Sequence, residues 1–144
     1  MVKTYALDAA QKSANAVFTA MTRMGWGAGY RWMLSVPGRT TGVMRSTPVD
    51  VMDVDGHRWL VAPYGETNWV RNVRAHPRIN LSRGSQSETL VAIPAVGDEV
   101  LPVVRQYVRS VPVTSAYWGV TAESSDAEIR ADVVSHPVFR LHPA

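Results

Sequence analysis

A chain of 144 residues with 46% hydrophobic content can bury one ordinary core, so a single domain is expected over 1–144. It has no cysteine, which excludes disulfides, cysteine-based zinc sites and thiol nucleophiles, and His57, His76, His136 and His142 show no metal-ligand spacing. The net charge is only +3, but Ala9 to Val49 holds Lys12, Arg23, Arg31, Arg39 and Arg45 without an acid, and Thr67 to Ser87 holds Arg71, Arg74, Arg78 and Arg83 likewise, a segregation that suits an anionic partner or a solvated face.

The first predicted element is an amphipathic helix over about 8–24, with Asp8 and Gln11 as a capping box and Ala10, Ala14, Val17, Phe18 and Met21 at helical spacing. The start of the chain lacks a secretory leader pattern, and no apolar run approaches the ~20 residues that cross a bilayer, so a cytoplasmic protein is expected. Beside Arg23 and Arg31, this first helix and the aromatic stretch after it are a candidate surface for peripheral membrane contact.

Next comes "PGRTTGVMRSTPVDV", Pro37 to Val51, read as a loop running into a strand. "VDVMDV" and "RWLVAP" then flank Asp55-Gly56, a pair that accepts the left-handed backbone of a tight turn and predicts an antiparallel hairpin. "TNWVRNVRAHP" predicts a short helix, capped by Thr67 and stopped by Pro77. Strands "RINLS" and "ETLVAIP" follow around the turn-prone "RGSQS". Helix "DEVLPVVRQYV" comes next, and "VVSHPVFRLH" is read as a closing strand. The order is mainly β with helices, and a partly open antiparallel β-barrel hides its short strand edges best. The tight hairpins rule out a βαβ arrangement.

The loop before the hairpin has the chemistry of an anion cradle. Gly38 and Gly42 permit close backbone approach, Thr40 and Thr41 add hydroxyls, and Arg39 and Arg45 supply forked cationic donors. A plain loop with solvated arginines fits the same residues. It is not a nucleotide-binding loop of the Walker type, because the Gly-Lys-Ser/Thr ending is absent.

The pattern G-R-x-[ST]-G-x-x-R-x-x-P, here "GRTTGVMRSTP", resembles the deazaflavin (coenzyme F-420) dependent nitroreductase or oxidoreductase family. A second stretch is similar too: "WVRNVRAHP" matches W-x-x-N-L-x-A-x-P through Trp69, Asn72, Val73, Ala75 and Pro77. The resemblance implies a split β-barrel of the flavin-reductase or FMN-binding type. Its cofactor would be reduced 8-hydroxy-5-deazaflavin, ahead of FMN, with a phosphate and glutamate tail.

On that carry-over Arg39, Thr40, Thr41, Gly42, Arg45 and Thr47 approach the tail, while Pro48, Val49, Ala62, Pro63, Tyr64 and Gly65 line the ring. Asn72 braces ring or loop, and Arg71 assists. Tyr117 is the candidate catalytic residue, and Trp118, Trp32 and Met33 are candidates for substrate contact; packing roles fit these four equally. Two departures stand out: Thr40 replaces a common lysine, and Tyr64-Gly65-Glu66-Thr67 replaces a Ser-Lys-Gly-Gly run.

The implied reaction is hydride transfer to an activated double bond or nitro group in a small planar acceptor, such as an enone, quinone, unsaturated lactone or nitroaromatic. The alternative is a non-catalytic binding module for a fatty acyl chain or flavin. Nucleic acid is not an expected partner, since Arg71 to Arg83 has no interleaved stacking aromatics. Monomer and homodimer both fit.

Overall fold

Six antiparallel strands form the protein's frame in a computed structural model that describes residues 29–144; the predicted first helix lies outside the described residues. The strands are β1 (Arg31–Pro37), β2 (Met44–Val54), β3 (His57–Val61), β4 (Arg78–Arg83), β5 (Gln86–Pro94) and β6 (Val138–Pro143). Their order is β1-β2-β3-β6-β5-β4, and β4 pairs back onto β1, so the barrel is closed.

Alternation along each strand decides what faces inward. Leu34 and Val36 of β1, Val49 and Val51 of β2, Leu60 of β3, Ile79 and Leu81 of β4, Leu90 and Ala92 of β5, and Phe139 and Leu141 of β6 fill the interior. Helix α1 (Asn68–Ala75) adds Val70 and Val73 to that cluster and so belongs to the same core. The opposite faces of β2 and β3, through Met52, Trp59 and Val61, carry a second cluster under α2 (Val100–Ser110), which contributes Val103, Val104 and Tyr107. Trp118 and Ile129, from the segments after α2, complete it.

The Asp55-Gly56 turn is as predicted, with φ of 53° and 76°. The stretch read as a loop is corrected: β2 begins at Met44, and Pro37 pairs with Met44 across from β1. The cradle is therefore the tip of a β1–β2 hairpin, and Arg45, Thr47 and Pro48 are strand residues. Strand β1 was not predicted, because Met33 is buried as fully as Leu34 and Val36, leaving little polar alternation to read.

The reading of "VVSHPVFRLH" as one strand is also corrected. Helix α3 (Asp126–Val133) runs into it, and only Val138 onward pairs with β3 and β5. Ser125 starts α3 with a full capping box, its hydroxyl accepting from Glu128 N (3.2 Å) and its amide donating to Glu128 Oε1 (2.9 Å). Two short 3₁₀ segments, Gly97–Glu99 and Pro112–Tyr117, flank α2. No helix of the described residues is long and apolar enough to cross a membrane.

Candidate functional site

The hairpin tip is held in shape by its own backbone. Gly38 N donates to Val43 O (2.8 Å), Gly42 N to Gly38 O (2.9 Å), and Val43 N to Thr41 Oγ1 (3.2 Å). Gly42 sits at φ +73°, which calls for glycine, and a Cβ on Gly38 would stand 3.1 Å from Thr41 Oγ1, so the hydroxyl would have to give way.

Asn72 docks this tip onto α1. Its buried Oδ1 accepts from Arg39 N (3.0 Å) and Arg39 Nη1 (2.9 Å), while Arg39 Nη2 also reaches Asn68 Oδ1 (3.4 Å). The predicted bracing role of Asn72 thus acts on the loop, and the guanidinium of Arg39 is turned to the helix. Arg45 and Arg71 are exposed and have no acidic partner among the described residues. Arg74 is different: Glu66 neutralises it at 2.6 Å.

From the tip, β2 runs directly into a cavity of about 100 Å³. Thr47, Pro48, Val49 and Asp50 supply one wall, with Val61 of β3 beside them. Pro63, Tyr64 and Thr67 from the β3–α1 loop and Trp69 of α1 close the other side. That loop is pinned from behind: His136 Nδ1 donates to Pro63 O (2.7 Å), and Gly65, at φ +85°, packs where a Cβ would lie 3.2 Å from Ser135 O. Thr67 Oγ1 is buried on this wall and finds no hydrogen-bond partner among the described residues. A ligand's polar group in the cavity would satisfy it.

Five residues expected from sequence, Thr47, Pro48, Val49, Pro63 and Tyr64, share this cavity, and four others of its wall, Asp50, Val61, Thr67 and Trp69, were not foreseen as such. Ala62 instead faces the barrel interior. Trp32 and Met33 lie on opposite faces of β1, Trp32 against the interior cluster, so they cannot line one wall together. Tyr117 is buried behind the cavity, its ring meeting Tyr64 edge-on with centroids 4.8 Å apart. Trp118 is buried in the outer cluster, stacked on His136 at 4.0 Å and against Tyr107 at 5.5 Å.

Asp50 is the one buried acid among the described residues. Its Oδ2 accepts from Tyr107 Oη at 2.6 Å, and its Oδ1 faces Arg31 Nε and Nη2, each at 3.4 Å. Burial raises its pKa above the usual carboxylate value, against the lowering effects of the Tyr107 bond and Arg31. Burial, first, and the Asp50 charge push Tyr107 well above 10.0, so it stays a hydrogen-bond donor.

Residues 9–134 match the family described as F420H(2)-dependent quinone reductase. No curated protein sequence matches the chain. Among solved structures, one described as an F420-H2 dependent reductase is 18% identical with a TM-score of 0.56, over 79% of this chain and 95% of its own. Another, described as a domain-swapped dimer, is 18% identical with a TM-score of 0.59, over 92% and 96%. A heme-binding protein from Mycobacterium smegmatis is 16% identical with a TM-score of 0.51, over 96% and 52%. At these identities the structural likenesses establish a shared fold, a barrel whose neighbours are of the split-barrel type.

Proposed function

Because the chain belongs to the F420H(2)-dependent quinone reductase family, and is thus a reductase served by the reduced coenzyme F-420, we propose that the β1–β2 tip holds the coenzyme's anionic tail and the adjoining cavity its ring. The observation that carries this reading is the continuity of β2. One strand presents Arg45 at the tip and Thr47 to Asp50 on the cavity wall, so tail and ring sites are fixed relative to each other by backbone alone.

Thr40, Arg45 and Arg71 face the tail, with Arg39 and Asn72 keeping the tip docked on α1. Charge-assisted bonds from Arg45 and Arg71 provide anion contacts in place of the two family lysines absent here. Pro48, Val49, Pro63 and Tyr64 offer flat apolar contact to the ring, and Thr67 Oγ1 offers a polar one. The cavity is smaller than a tricyclic ring system, so it would take only part of the ring, held by Pro48, Val49, Pro63 and Tyr64.

The bound coenzyme supplies a hydride. The protein's part is to hold donor and acceptor in contact, keep water out, and stabilise the charge that develops on the acceptor. Tyr64, on the wall, is the candidate for a hydrogen bond to an acceptor oxygen, and Tyr117 packs edge-on against its ring.

A quinone is the acceptor class the family name supports, and enones, unsaturated lactones and nitro compounds share its planar, electron-poor character. The barrel's likeness to a domain-swapped dimer supports a homodimer. The deciding experiment titrates the protein with oxidised F-420, with FMN as competitor, and then follows quinone and nitroaromatic reduction by the reduced coenzyme. Selective F-420 binding with quinone turnover is expected. Equal binding of FMN, or binding without turnover, would overturn the reading.

A further inference from the structure

Three stretches far apart in sequence meet behind the cavity, and His136, its side chain only 5% exposed, joins them. We propose that His136 is a positioning residue for the cavity and acts as an imidazolium, held between Pro63 O and the Asp132 carboxylate, so that the shape of the ring site depends on its second proton. The proposal rests on the cavity being the ring site.

Both ring nitrogens face atoms that can only accept. Nδ1 stands 2.7 Å from the Pro63 carbonyl oxygen, and Nε2 stands 3.4 Å from Asp132 Oδ2. A neutral histidine has one N–H, and here it goes to Pro63 O. The bare lone pair of Nε2 would then face a carboxylate where water barely reaches. With a second proton the same ring satisfies both sides. Trp118 stacks on the ring at 4.0 Å and 27°, a contact that also suits a cation. The carboxylate is fixed independently, since Asp132 Oδ2 accepts from Gly119 N at 3.0 Å. The groups on the ring are thus Asp132 from α3, Pro63 from the β3–α1 loop, and Trp118 from the segment before α3. Asp132 is the one acid within ion-pair distance among the described residues.

What this ring holds is the cavity's back wall. Pro63 lines the cavity, and the neighbours of His136 clasp the same loop: Ala62 N donates to Pro137 O (2.8 Å), and Gly65 packs against Ser135 O. Through Trp118 and Gly119, His136 and Asp132 also fix the stretch carrying Tyr117, whose ring lies edge-on to Tyr64 on the wall. Loss of the second proton leaves Nε2 and Oδ2 repelling each other. The clasp then loosens, and Pro63 and Tyr64 lose their hold from behind.

The experiment has two arms, on the full chain. Without ligand, imidazole-nitrogen NMR follows the protons of His136 as pH is raised, while the amide signals of Tyr64 and Gly65 are recorded. His136 should carry two protons at the acid end, and Tyr64 and Gly65 should shift in the same step in which Nε2 loses its own. In His136→Gln, which keeps a donor for Pro63 O and does not titrate, that step should vanish. In the second arm, fluorescence titration gives the affinity for oxidised F-420, and the ratio of wild type to His136→Gln cancels ionisation of the coenzyme itself. That ratio should fall about three- to tenfold as pH rises through the His136 step, the size expected for one lost contact.

Tyr64 and Gly65 signals that ignore the His136 step, or an Nε2 that is bare at every pH, would overturn the proposal and leave the functional reading intact. A flat affinity ratio would overturn the positioning role even with the amide step present. No F-420 binding at any pH would overturn the functional reading and the role together. If His136→Gln does not fold, Asp132→Asn decides: an asparagine can turn either oxygen or amide to Nε2, so the step in Tyr64 and Gly65 should shrink, and a step of full size refutes the clasp.

Discussion

Replacing Asn72 by alanine removes the oxygen that makes the two shortest bonds between the hairpin tip and α1. Two bonds go at once, a charge-assisted one from Arg39 Nη1 at 2.9 Å and an amide one from Arg39 N at 3.0 Å. In isolation these are worth about 1.5–3 and 0.5–1.5 kcal/mol. Arg39 is exposed, so water takes over both donors once the tip lifts, and the lower ends apply: about 2 kcal/mol against docking. If the tip must be docked to bind the tail, affinity for oxidised F-420 falls about thirtyfold. Tryptophan-fluorescence titration at several salt concentrations measures this, and the Asn72→Ala loss should not depend on salt, since it is a loss of shape. Asn72→Asp keeps both bonds but brings a negative charge to the proposed anion site, so its loss should recover as salt screens it. Affinity within threefold of wild type for Asn72→Ala would refute the docking argument.

Arg45→Ala should weaken F-420 binding about ten- to a hundredfold at low salt and progressively less as salt rises, seen in the same titration; unchanged affinity removes Arg45 from the tail site. Gly42→Ala forces a Cβ onto a residue at φ +73° and should cost about 1–2 kcal/mol in the tip, read as weaker binding with an intact melting transition. Ser125→Ala breaks the capping box of α3 and should cost about 1 kcal/mol in denaturant unfolding. Asp50 binds its proton more tightly folded than unfolded, so its contribution to stability is complete below 3.8 and is lost as pH rises through its raised folded value; Asp50→Asn should gain on wild type in melting temperature across that window, and parallel curves would contradict the assignment.

Local chemistry made much of this legible. Asp55-Gly56 fixes its hairpin because few other pairs take two left-handed residues, and the Thr67 to Pro77 interval bounds α1, although Thr67 stands at the N-cap position without making the capping bond expected of it. The tip and the β2 wall could be assigned because their residues are contiguous. The rest depends on contacts distant in sequence. Asp50 within "VDVMDV" has the pattern of an outward, solvated position, and only Tyr107, 57 residues on, makes it a buried group. Tyr117 and Trp118 looked available for an acceptor, but both are buried, with Tyr64 edge-on to one and His136 stacked on the other. Helix α3 did carry a readable signal, Ser125 three before Glu128, but Ile129 is its only buried residue and no apolar periodicity accompanies the cap.

The closed ring sets an order of assembly. The β1–β2, β2–β3 and β4–β5 pairs are near neighbours in sequence and can form early, whereas β6 must bring Val138 to Val61 and Leu141 to Arg58 across most of the chain. Loop-closure entropy delays such pairings, so β6 enters last. Until it does, β3 and β5 each present an open edge, and the strand that fits both is β6 itself, from the same molecule or from another. Whether a folding chain seals its own ring or exchanges strands with a neighbour is then a contest between intramolecular closure and concentration, settled before the site exists.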